Sequence, residues 1–304
     1  MNEKRIAICL PDGSNDFQQI LKADAEAAAR RAGLALDVHF TGHDLAAQLT
    51  RLRACIDAGP SRPDGILVLA VRDRGLDRVV REAARAGISF VYLNRTEDDL
   101  DEIRKEFPAA TVGTVCVDEV ETGRIQGRQF RALLPAGRMV LYVQGSTRSL
   151  AARDRTAGMQ EAVKGAPFEV ATVEGGWSAP EAREAVHRWL AIVVRSNRRV
   201  ELVGCQNDPI AMGSIEALKA VAAELQRPEV ARIPVTGCDG TPNVGQKLVR
   251  EGKLVATVVL PSPAGLAVDW IARKLLKGEQ PPPLATLKPV SFPEEAKLRP
   301  LSGE

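Results

Sequence analysis

At 304 residues and 45% hydrophobic, the chain is long enough for one large domain or two medium ones, each with its own buried core. Its 41 basic and 39 acidic residues leave a net charge of +2 with no block of one sign, which argues against a phosphate backbone or a membrane surface as partner. No apolar run approaches the roughly 18 residues of a membrane span, and Cys9, Cys55, Cys116, Cys205 and Cys238 are too far apart for a local metal knuckle and odd in number for a disulfide framework.

The chain opens with Lys4 and Arg5 before Ile6 to Leu10, an apolar stretch shorter than the roughly 7 to 15 residues of a secretory core. The sequence as it stands is therefore expected to be cytoplasmic, and periplasmic if a signal peptide was removed ahead of Met1. Ile6 to Leu10 reads as a first strand. Phe17, Ile20, Leu21, Ala25 and Ala28 then share one helical face, and Gly33 supplies a left-handed stop. A strand over Ala35 to Phe40 follows. Next comes a helix with the stripe Leu45, Leu49, Leu52 and Ile56, ended by Gly59 and Pro60. The same rhythm continues through Gly65 to Ala70, a helix carrying Leu76, Val79, Val80 and Ala83, and Ser89 to Leu93.

The polar, helix-like segment from Glu97 to Ala110 sits where a first lobe should hand over to a second. Further apolar runs cover Thr111 to Val117, Met139 to Gln144, Phe168 to Val173, Val200 to Cys205, Ile233 to Cys238 and Leu254 to Leu260. Several lack polar alternation, as expected of parallel strands buried on both faces. Ten such steps are too many for one sheet, so the expected fold class is α/β, with two similar doubly wound parallel-sheet lobes. Pro281 to Pro283 mark a late stiff connection.

In parallel sheets, ligands bind beyond the carboxyl ends of the strands. Those positions are polar here: Ser14-Asn15-Asp16-Phe17, Asn94-Arg95, the loop and helix start leading to Arg153-Asp154-Arg155, Gln206-Asn207-Asp208 and Asp239-Gly240-Thr241-Pro242. Asn, Asp and Arg give paired hydrogen bonds to vicinal hydroxyls, and a Phe ring covers an apolar sugar face. Taken singly, Asn207 or Asp208 could cap a helix, Asp239 could be an ordinary turn and Phe17 could be core.

Three segments carry a resemblance that spans essentially the whole chain: QNDPIAMGSIEAL at 206–218, VTGCDGTPNVGQKLVREGKLVATV at 235–258 and AARDRTAGMQEAV at 151–163. The chain resembles the type I periplasmic binding proteins, both the ribose-binding kind and the ligand domains of LacI-like repressors. The resemblance implies a three-segment hinge near Val117-Asp118, Leu260-Pro261 and Pro289. One lobe would then comprise 1–117 plus 261–289, the other 118–260 plus 290–304, with a ligand cleft between them. Asn15, Phe17, Asn94 and Arg95 would contact a sugar or polyol from the first lobe, and Arg155, Asn207 and Asp239 from the second. Both Asp208 and Asp239 would bind hydroxyls. Binding at such a cleft drives closure by differential affinity. The sequence departs from the ribose pattern at Asn94, Gln18, Ala70 and Cys238, so a pocket different from that for ribose is expected. On this reading Arg155→Ala or Asp239→Ala abolishes binding and leaves the fold intact.

The resemblance implies a membrane permease as partner of a transport receptor, or a sensor kinase or regulator as partner of a ligand sensor. A LacI-like regulator that binds DNA directly would need a reading head, and the first strand starts too early to leave room for one. An enzyme is the alternative from another class, with Asp208 and Asp239 imagined as a carboxylate pair. His39, His43 and His187 are the only histidines, and none sits in a recognisable catalytic pattern. There is no H-E-x-x-H, no G-x-S-x-G and no G-x-G-x-x-G after the first strand, while Gln246 replaces the lysine of a phosphate loop. No catalytic residue, cofactor or metal is expected.

Overall fold

In the computed structural model, which describes residues 3–94, 100–134, 138–196 and 198–301, the ten apolar runs become ten strands. They are β1 (Arg5–Leu10), β2 (Ala35–Phe40), β3 (Gly65–Val68), β4 (Ser89–Leu93), β5 (Val112–Val117), β6 (Met139–Gln144), β7 (Glu169–Glu174), β8 (Leu202–Cys205), β9 (Val235–Asp239) and β10 (Ala256–Val259). Two short strands join them, β11 (Leu284–Leu287) and β12 (Val290–Phe292).

The strands form two six-stranded sheets, ordered β11-β5-β4-β3-β1-β2 and β12-β10-β9-β8-β6-β7. Read from the opposite edge, both run first strand outward to its neighbour and then back across, so each has its switch point beside its first strand, at β1/β3 and β6/β8. All pairings are parallel except β12, which runs antiparallel to β10.

The chain divides into two compact units. The first comprises Met1–Val117 and Pro261–Leu287, the second Asp118–Leu260 and Lys288–Glu304. The chain thus passes between units three times, the last time at Leu287 rather than after Pro289. The segment expected at the handover lies elsewhere: its described part forms α4 (Leu100–Glu106), inside the first unit between β4 and β5.

Strand pleating explains why each sheet has two cores. Along β1, Ile6, Ile8 and Leu10 point to one face, against α1 (Asp16–Ala32) and α10 (Ala264–Lys277). Ala7 and Cys9 point to the other, with residues of α2 (Leu45–Ile56) and α3 (Asp77–Arg85). In the second unit, Leu141 and Val143 pack with α7 (Ala179–Arg195) and α8 (Asp208–Glu224). Val140 and Tyr142 face Phe130 of α5 (Glu119–Leu133) and Met159 of α6 (Leu150–Val163). With both faces covered, neither sheet has room for polar alternation in its central strands. Among the described residues no helix is long and apolar enough to cross a membrane.

Candidate ligand-binding site

The candidate residues of the first unit stand at the ends of β1 and β4. Asn15 is the N-cap of α1, its Oδ1 accepting from the Gln18 amide at 3.1 Å. Gln18 is buried and its side-chain Oε1 accepts from the Asp12 amide at 2.8 Å, so the loop after β1 is tied to the first turn of the helix. Phe17 is half-buried and leans on the core. Asn94 has φ 57° and its Oδ1 accepts from the Val117 amide at 3.2 Å, which joins the ends of β4 and β5. Arg95 lies outside the described residues. The loop after β3 is clamped by Gln48, which donates to the Leu69 carbonyl and accepts from the Val71 amide, both at 3.0 Å. Arg72 and Arg74 in that loop are exposed.

The second unit brings its candidates together around one guanidinium. Arg155, on α6, is 5% exposed. Its Nε donates to Glu119 Oε2 at 2.6 Å and one terminal nitrogen donates to Glu119 Oε1 at 3.1 Å, while the other donates to the Gln206 carbonyl. The Trp177 ring centre lies 5.8 Å from its Cζ. Burial works against the charge of this guanidinium. The field and hydrogen bonds of Glu119, with Asp239 adding to them, more than reverse that penalty, so the group holds its proton more tightly than a free arginine.

Gln206 fixes the frame. Its side chain accepts from the Gly145 amide at 2.8 Å and donates to Tyr142, to Thr156 and to the Ala152 carbonyl. The end of β8 is thereby locked to the loop after β6 and to α6, which carries Arg155.

Asn207, 6% exposed, caps α8 by accepting from the Ile210 amide at 2.7 Å and also donates to the Trp177 carbonyl at 3.1 Å. The dull reading of Asn207 as a cap is thus correct, and the cap holds Trp177 as well. Asp239 ends β9 with φ 96°, followed by Gly240 at φ 58°. Asn94, Gln226 and Asp239 are the non-glycine residues with positive φ among those described. Two of these three are candidates for ligand contact, and left-handed backbone of this kind concentrates where function requires a side chain to be aimed.

Asp208 departs from expectation. It is 1% exposed and turned into the protein, accepting from the Thr257 hydroxyl at 3.0 Å and the Gly240 amide at 2.9 Å. A Cβ on Gly237 or Gly245 would collide with its carboxylate, so the turn carrying Asp239 is built around it. Burial pushes the Asp208 carboxyl up to about 7 despite the Thr257, Gly240, Cys238 and Thr241 donors. It braces the Asp239 turn, and its oxygens face donors of the protein rather than solvent.

Sequence reasoning missed Trp177 and Glu119. Trp177 follows β7 in Gly175-Gly176-Trp177-Ser178, and applying the strand-end rule there would have found it. Glu119 carries no local signal, since it reads as an ordinary acid in the first turn of a helix capped by Asp118.

Among known proteins, the chain is 28% identical over 283 residues to the ribose import binding protein RbsB of Salmonella typhimurium, covering 92% of this chain and 87% of that one. A solute-binding protein of an ABC transporter from Actinobacillus succinogenes, solved with bound D-allose, has the same fold with a TM-score of 0.81 at 19% identity, over 97% of this chain and 99% of the other. The myo-inositol binding protein of Caulobacter, solved with myo-inositol, gives a TM-score of 0.77 at 20% identity, over 94% and 92%. Residues 6–280 match the family model of the periplasmic binding protein domain, and the chain belongs to that family.

Proposed function

We propose that this chain is a non-catalytic receptor for a sugar or related polyol, held jointly by the two sets of strand-end residues and released without chemical change. The observation that carries this reading is the group in the second unit. Three N–H groups of Arg155 are spent on Glu119 and the Gln206 carbonyl, which leaves one on each terminal nitrogen, with the Trp177 ring alongside and Asp239 at the next strand end. Guanidinium donors, a carboxylate acceptor and an aromatic face form the set that recognises vicinal hydroxyls on a ring. Asn15, Phe17 and Asn94 offer the same chemistry in the first unit, and Arg95 would add a second guanidinium.

A ligand touched by both units favours the arrangement in which both reach it, so occupancy would be reported as closure. The likeness to sugar-binding transport proteins supports a permease as the partner that reads this state, in a periplasmic setting. The test is a thermal-shift and calorimetric screen against pentoses, hexoses and cyclitols. A saturable rise in melting temperature, with the sugar recovered unchanged, is the expected result. Consumption of the bound compound would replace the receptor reading with an enzymatic one, and no binding across the panel would remove it.

A further inference from the structure

A guanidinium in a ligand site is ordinarily a reason to expect an acidic ligand, and here the structure argues the reverse. Arg155 is the one buried cation among the described residues, and its Nε edge is filled side-on by both oxygens of Glu119, whose side chain is only 9% exposed. The pair is therefore electrically closed before any ligand arrives. Asp239 contributes a further negative charge at the end of β9, close enough for its field to be felt at Arg155. Glu174 adds another carboxylate at the end of β7, hydrogen-bonded by Thr147 at 2.7 Å. Arg148 and Arg153, on the loop after β6 and the first turn of α6, are exposed, where solvent screens them.

Taking the ligand-binding reading of these residues as the premise, we infer that Glu119 is a specificity-determining positioning residue. It cancels the charge of Arg155 while orienting its two remaining N–H groups, so that the site accepts uncharged polyols and rejects sugar acids and sugar phosphates. Guanidinium donors suit a carboxylate as well as they suit hydroxyls. Charge decides between them, because an incoming anion must lose its hydration beside Glu119 and Asp239 while the one buried cation among the described residues is already paired.

The test is calorimetry on the full chain at neutral pH with matched pairs: D-ribose and D-ribose 5-phosphate, D-galactose and D-galacturonate, myo-inositol and myo-inositol 1-phosphate. The neutral member of at least one pair should bind more tightly than its anionic counterpart by about tenfold or more. In Glu119→Gln, nearly the same in shape but without the charge, that ratio should shrink by about tenfold as the acid gains affinity. A purely structural role for Glu119 would weaken both members alike and leave the ratio unmoved, which overturns the inference. So does wild-type protein that binds the anion as tightly as the neutral compound, a result that needs no variant to fold and leaves the receptor reading standing. If no member of any pair binds, the receptor reading falls and this inference with it.

Discussion

Arg155 is held in place by the same contacts that make it useful, so its removal has two consequences. Deleting the guanidinium strands the Glu119 carboxylate in a site it shares with the Gln206 carbonyl. Breaking a buried pair in this way costs about 3 to 5 kcal/mol. Arg155→Ala should therefore lose ligand binding and unfold at lower urea, whereas Asp239→Ala should lose binding with a much smaller change in midpoint. Equal midpoints for the two variants would contradict the buried pair. Asp208 gives a pH prediction. Its carboxyl sits near 7 in the folded chain and near 3.8 when unfolded, so the native state binds more protons between those values. Its contribution to stability is full below about pH 4 and is lost as pH rises toward 7. Urea melts of Asp208→Asn against wild type should show a flatter slope across that interval, with lower stability overall because an amide cannot accept from all four donors. Among the candidates, Asn15, Asn94, Asn207 and Asp239 were legible because they follow strands, and Arg155 because its segment carries the family resemblance. Glu119 and the inward turn of Asp208 were not, since each is decided by a partner distant in sequence: Arg155 for one, Thr257 and Gly240 for the other.

The pairing of α5 with α6 is the element-scale feature on which the second unit's site rests. Gly123 and Gly127 on α5 and Gly158 on α6 let the helices approach until backbone meets backbone, and a Cβ on Gly158 would run into the Val120 carbonyl oxygen. A Cβ on Gly123 would meet the carbonyl of Arg155 itself. Gly158→Ala must push α6 away, which costs about 1 to 3 kcal/mol of overpacking and moves Arg155 off Glu119 and Gln206. Calorimetry should find weaker sugar binding together with a lower melting temperature, and wild-type affinity in that variant would mean that the helix spacing does not set the site. The strands β1 to β10 were readable because apolar runs bounded by turn residues have few other uses in a covered sheet. The two last strands were not readable. Leu284 and Val290 are 54% and 57% exposed, the runs are four and three residues long, and the three prolines before β11 suggest a linker. What makes them strands is an edge offered by β5 and by β10, which local sequence does not record.

At the scale of the whole molecule, the threading of the chain makes neither unit a contiguous fragment. After β10 the backbone returns to the first unit to supply α10 and β11, then crosses again to supply β12 and the last described residues of the second. The final segment therefore serves both units. In the first, the Pro283 carbonyl accepts from the Thr114 amide at 3.0 Å and from Arg104 at 2.8 Å, and β11 covers the edge of β5. In the second, β12 covers β10, Gln129 donates to the Ser291 hydroxyl at 2.9 Å, Arg128 pairs with Glu295 at 2.8 Å, and Leu298 is buried against Phe130 and its neighbours. Ending the chain after Gly278 should consequently weaken both units at once. Burial of Leu298 alone is worth roughly 2 kcal/mol, and the bared edges of β5 and β10 become templates for association. Hydrogen exchange read at Thr114 in β5 and at Thr257 in β10 should show protection lost at both positions in the shortened chain, along with increased self-association. Loss confined to one of the two would mean that the final segment belongs to a single unit and that the third crossing is dispensable.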